Sequence, residues 1–151
     1  MDNNILNNAP FWSSFIAMLC AQALKPFISL FSGEGWKPKL VISNGGMPSS
    51  HTAAVSALAV SIGIRNGFAS DIFVLSFVFL LVVMNDAMNV RLETGKHSVF
   101  LNEISELLAS MNGGFSRQNF RTMVGHTTLQ VFWGMLIGIA LGCIITLWFF
   151  K

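Results

Sequence analysis

The chain holds three histidines, His51, His97 and His126. His51 ends the run of small and turn-forming residues in GGMPSSHTA, Gly45 to Ala53, and an apolar run follows it at once. His126 stands the same way before an apolar run, in GHTTLQVFWG. A helix that starts beside a histidine offers unpaired backbone N–H groups and the positive end of its dipole, which suits an anion. Ser49, Ser50 and Thr52 can equally serve as caps of the helix that follows. Two histidines with cations nearby have the parts that phosphoryl transfer needs. One imidazole attacks phosphorus, the other protonates the leaving oxygen, and the cations hold the remaining oxygens.

Two charges stand where apolar sequence surrounds them. Lys25 lies inside one apolar segment and Asp86 at the end of another, in VVMNDAMNVR. A charge at the centre of a bilayer costs at least about 2.5–3.5 kcal/mol on insertion scales, so such residues face a polar interior or find partners. Lys25 is close enough to the end of its segment to snorkel to the interface. A carboxylate cannot reach so far, which leaves Asp86 either a structural pairing with Lys25 or Arg91 or a chemical role.

The elements that position these residues are membrane helices. Of the 151 residues 53% are hydrophobic and only 11% charged, and the mean hydropathy is +0.62. A soluble domain is typically about 25% charged. Four apolar segments run from about Phe11 to Phe31, Thr52 to Ile64, Asp71 to Met88 and Thr127 to Phe150. The second is short for a span, and the others reach the length a bilayer requires. Residues 32–46 hold Gly, Pro and Lys and read as an irregular loop, and Asn66-Gly67 reads as a tight turn. In SVFLNEISELLASM, Ser98 to Met111, residues Phe100, Ile104, Leu107, Leu108 and Met111 recur at helical spacing. That pattern predicts an amphipathic helix on the membrane surface or over the bundle, and residues 111–121 then form a loop. Gly134, Gly138 and Gly142 recur every four residues, as do Ala53, Ala57 and Ser61. Such ridges let helix backbones approach closely inside lipid.

The expected fold is therefore an all-α integral membrane bundle, a single domain over 1–151, with about four main helices and one amphipathic interfacial helix. The N-terminal MDNN has no cation ahead of the first apolar run, so that segment is expected to stay as a membrane helix. Cys20 and Cys143 lie in apolar segments and form no metal or disulfide pattern. A net charge of +2 without a basic run gives no reason to expect nucleic acid. Alternating spans bring Lys25, Lys37, Lys39, His51, Asp86, Arg91 and His126 to one membrane side and both termini to the other.

At these residues the chain resembles the divergent branch of the type 2 phosphatidic acid phosphatase superfamily, which also includes bacterial acid phosphatases and vanadium-dependent haloperoxidases. The resemblance rests on AQALK (21–25), GGMPSSHTA (45–53), NDAMNVR with the following ETGKH (85–97), and GHTTLQVFWGMLIG (125–138). It implies that Pro48-Ser49-Ser50-His51 answers the superfamily's Pro-Ser-Gly-His, with His51 the general acid and Ser49 and Ser50 at the phosphate. It implies further that Lys25, helped by Lys39, and Arg91 bind phosphate, and that His126 is the nucleophile that becomes phosphohistidine. Gln130 falls where an aspartate usually orients that nucleophile, and its spacing of four residues puts it over His126 on one helix face. Gln130 is neutral, and Asp86 is the carboxylate available to stabilise the imidazolium in its place. His97 has no counterpart and reads as a loop residue at the interface.

The function that follows is hydrolysis of a lipid phosphate or diphosphate, without metal or cofactor. The alternative is a membrane protein that binds a phosphate-bearing lipid, or scaffolds a partner, without turnover. The expected location is the cell membrane. Lys37, Lys39, Arg91, Lys96, Arg117 and Arg121 outnumber Arg65 and Lys151 opposite, which places the site on the cytoplasmic side by the positive-inside tendency.

Overall fold

A computed structural model describes residues 4–33, 35–43, 45–111, 116, 119–120 and 127–149. Among these the chain is all-α. Its helices are α1 (Ala9–Phe31), α2 (Ser50–Asn66), α3 (Asp71–Asn85), α4 (Arg91–Met111) and α5 (Thr128–Phe149), with short 3-10 turns at Ile5–Asn7 and Pro38–Ile42.

Helix α1 begins where the Asn8 side chain accepts the Phe11 N–H, with a proline in its first turn. Its buried residues include Ala9, Ser13, Ala17, Ala21, Lys25 and Ser29, one every four residues. That row, small at every position but Lys25, faces the bundle. Phe11, Phe15, Leu19, Leu24 and Phe27 point outward and are exposed. Small inside and large outside is the pattern of a helix whose outer face meets lipid and whose inner face meets another backbone.

Helix α2 is the centre of the bundle and packs on α1, α3 and α5. Its buried residues are almost all small: Ser50, Thr52, Ala53, Ser56, Ala57, Ala59, Ser61 and Gly63, with Ile62. The two ridges predicted from sequence face each other. A Cβ on Gly134 would collide with the Ser49 carbonyl, one on Gly138 with the Ala53 carbonyl, and one on Gly142 would sit 3.0 Å from Ala57. Helices α2 and α5 therefore run parallel and nearly in backbone contact, with no room for a side chain at Gly134 or Gly138 and little at Gly142. At the far end the Ser13 and Thr146 hydroxyls share a hydrogen bond of 3.3 Å, and Thr146 donates to Ser61 at 2.6 Å. This hydroxyl cluster ties α1, α2 and α5 together with its polar groups satisfied inside an apolar core.

Three helical stretches are long and apolar enough to cross a membrane: Ala9–Phe31, Asp71–Met111 and Thr128–Trp148. Helix α2, at 17 residues, is not among them. The reason lies in its position, because neighbours rather than lipid surround it and small residues serve better than large apolar ones. Gly67, at φ +86°, ends α2 in the left-handed region open to glycine. Ser70 then caps α3 by accepting the Phe73 N–H.

The sequence pattern ends the third apolar segment near Met88 and treats the amphipathic helix as separate. The structure joins them. Helix α3 continues through one π turn, Asp86–Val90, directly into α4, and no glycine or proline interrupts it. Along α4 the less exposed positions are Arg91, Gly95, Ser98, Asn102, Ile104, Ser105 and Ala109, and all but Ile104 form a face of small and polar residues. Phe100, Leu107, Leu108 and Met111 lie on the opposite side and are exposed. Four of the five residues of the expected apolar stripe are thus exposed, and Ile104 is half-buried.

Candidate functional site

Four elements meet at the end of the bundle where α2 begins. Pro48 and Ser49 are fully buried, Ser50 is nearly so, and a cis peptide joins Met47 to Pro48. The Ser49 hydroxyl accepts the Thr52 N–H at 3.4 Å and the Thr52 hydroxyl at 3.0 Å, so Ser49 is the N-cap of α2. Its own N–H donates to the Gln130 carbonyl at 3.0 Å, which fixes this loop to the first turn of α5. His51 lies in the first turn of α2 and its ring is exposed.

The His51 ring opens onto a cavity of about 280 Å³ between α2 and the α3–α4 helix, lined by His51, Val82, Val83, Asp86, Ala87 and Arg91. His51, Asp86 and Arg91 are its polar lining residues and Val82, Val83 and Ala87 its apolar ones. Arg91 Nε donates to Asp86 Oδ2 at 2.7 Å. The charges of Arg91, Lys25 and Asp86 all act on the His51 ring.

Lys25 is only 1% exposed. It reaches the loop ahead of α2 and donates from Nζ to the Ser43 carbonyl at 2.9 Å. It does not snorkel. Gln22 and Ser29, on the same side of α1, donate to the carbonyls of Val41 and Gly35, each at 3.0 Å. These three side chains strap the 35–43 segment to α1. Among the described residues no carboxylate pairs with Lys25. A buried ammonium held by a single carbonyl is an uncompensated charge, and such charges require an anion or lose their proton.

The remaining candidates are placed less directly. Gln130 forms a reciprocal cap with Thr127: Thr127 N–H donates to Gln130 Oε1 at 3.2 Å, and Gln130 N–H donates to Thr127 Oγ1 at 3.4 Å. The sequence Thr-Thr-Leu-Gln is a capping box for α5, a signal present in the sequence beside the proposed orienting role. Lys39 is exposed in the 3-10 turn and does not line the cavity. His97 is exposed on α4 and so lies in a helix rather than in a loop. His126 lies outside the described residues, as do Arg117 and Arg121. The site thus gathers His51, Asp86 and Arg91 around one cavity, with Lys25 buried within electrostatic reach and Ser49 and Gln130 joined through the backbone. Spacing arguments missed the apolar lining residues Val82 and Val83, and the carbonyl of Ser43 that holds Lys25. A uniformly apolar α3 gives no signal as to which of its valines face inward.

A helical membrane bundle with a histidine at the start of its central helix, and an arginine and a buried lysine at the same end, defines an integral membrane protein. The chain belongs to the Divergent PAP2 family, whose model matches residues 6–141. YuiD, an uncharacterized membrane protein of Bacillus subtilis (strain 168), is 31% identical over 156 residues, which cover 96% of this chain and 98% of that protein. No solved structure matches the chain.

Proposed function

We propose that the protein is a membrane-embedded hydrolase of a lipid phosphate or diphosphate, working through a phosphohistidine. The observation that carries this reading is Lys25: an ammonium buried to 1% exposure, beside the N-terminus of α2, with one carbonyl partner and no carboxylate partner among the described residues. A phosphate in front of His51 supplies the missing anion, and Arg91 offers it a second cation. In the reaction the His126 imidazole attacks phosphorus and forms a P–N bond. The P–O bond to the lipid breaks as His51 gives its proton to the departing oxygen. Water then attacks phosphorus, His51 takes the water proton, the P–N bond breaks and inorganic phosphate leaves. The proposed group set needs no metal. The cavity combines apolar Val82 and Val83 with polar His51, Asp86 and Arg91, as a phosphate attached to a hydrocarbon chain requires.

A second reading keeps the ligand and removes the turnover. It is favoured by Gln130, which is neutral and caps α5, and by Asp86, whose Oδ2 is engaged with Arg91. Under it the protein binds a phosphate-bearing lipid and releases nothing. The test between the two is phosphate release from a panel of lipid phosphates by the purified protein, beside a His126→Ala control. The location proposed is the cell membrane with the site facing the cytoplasm, on the balance of cations already described.

A further inference from the structure

The Asp86–Arg91 pair joins residues five apart, a spacing that an α-helix does not bring together. Five residues of α-helix carry the side chain about 140° around the axis from where it started. The π turn changes this. The Arg91 N–H donates to the Asp86 carbonyl, closing an i to i+5 ring, and in that geometry five residues make little more than one turn. Arg91 then stands over Asp86, and the 2.7 Å contact from Nε to Oδ2 follows. The pair is not placed for stability. Its side chains are 42% and 39% exposed, and pairs so exposed contribute little. Its placement is instead on the cavity that His51 lines. Contact through Nε also matters. It fixes the plane of the guanidinium while engaging the nitrogen nearest the chain, so the outer nitrogens keep their fork geometry.

We propose that Asp86 is a positioning residue, and that the π turn exists to set it under Arg91 so that the guanidinium meets the anion beside His51 in one fixed orientation. This rests on the phosphate reading of the site, and it replaces a direct role for Asp86 at the nucleophile. The experiment uses the full chain in detergent micelles with ¹⁵N-arginine labelling and inorganic phosphate as the probe. In the unsubstituted protein the Arg91 Nε–H, assigned by its loss in Arg91→Lys, should exchange slowly with water and shift on adding phosphate. Asp86→Ala should make that proton exchange fast and weaken phosphate binding about tenfold, with the melting temperature nearly unchanged. Asp86→Asn keeps an oxygen in place and should recover part of both effects. Should Asp86→Ala fail to fold, Asp86→Asn carries the test, with faster exchange and weaker binding expected together. Phosphate binding that stays as tight while the Nε–H exchanges faster would overturn the positioning role alone. So would weaker binding with the Nε–H unchanged. If the unsubstituted protein binds no phosphate, the reading of the site falls and the role of Asp86 with it.

Discussion

Lys25 is the residue at which the sequence and the structure part most usefully. Its place near the end of an apolar segment allows it to snorkel, and position along the chain cannot distinguish that from burial. What decides is the loop 35–43 folding back over it, held by Gln22, Lys25 and Ser29. If the ammonium is kept for an anion, it works against stability in the empty protein. Lys25→Met, which keeps the volume and removes the charge, should then melt in detergent no lower than the original protein and lose at least a hundredfold in phosphate release. A large fall in melting temperature would make the hydrogen bond to Ser43 its main role and contradict the anion account. His51 gives a second prediction. Its proposed task is to protonate the departing oxygen, so His51→Ala should slow aliphatic lipid phosphates strongly and aryl phosphates least. Equal loss on both, measured as kcat across leaving groups, contradicts the assignment. Ser49 was legible in two ways at once, as ligand and cap, and the structure displays the cap; Gln130 was read only as orienting His126, and the structure shows it capping α5.

At the scale of elements, the glycine and alanine ridges were legible because their four-residue period is the period of a helix face, and they meet as that period requires. The π turn was not legible. The change from apolar to polar sequence after Met88 resembles a helix end, but it marks a change of surroundings along one continuous helix. A pairing of Asp86 with Arg91 was one of the expected alternatives, and it forms, but its i to i+5 spacing along one helix falls outside the i, i+3 and i+4 pairs that helical reading inspects. The ridge makes a quantitative prediction. Gly138→Ala puts a methyl group into the Ala53 carbonyl and against the Ser56 Cβ, and both are held by helix packing. It should cost about 1–3 kcal/mol, the usual range for overpacking, read by thermal unfolding in micelles. Gly67→Ala should cost through its positive φ alone, without altering α2–α5 packing. Thr146→Val removes two interhelical hydrogen bonds and should cost about 1.2 kcal/mol, at a mean of about 0.6 kcal/mol for each inside a membrane.

Over the whole molecule, composition identified a membrane bundle, but the count of apolar segments did not assign their roles. Three stretches have the length and apolarity of spans. The fourth main helix, α2, is the short one they enclose, and it carries His51. The least apolar of α1, α2, α3 and α5 is therefore central, where small residues pack it and its first turn is delivered to the site. Antiparallel α1 and α2, with α5 parallel to α2, put both ends of the bundle's chain on the side away from His51. With the site proposed to face the cytoplasm, a reporter fused after α5 should lie outside it. A cytoplasmic reporter would reverse the orientation and leave the chemistry untouched. The central claim, phosphoryl transfer at this end of the bundle, is tested most directly by inorganic phosphate released from lipid phosphates by the purified protein and by its His126→Ala variant. The account predicts turnover with a trappable phosphoenzyme in the original protein, and neither in the variant. Release by the variant at the full rate, or no release by the original protein from any lipid phosphate it binds, would contradict it.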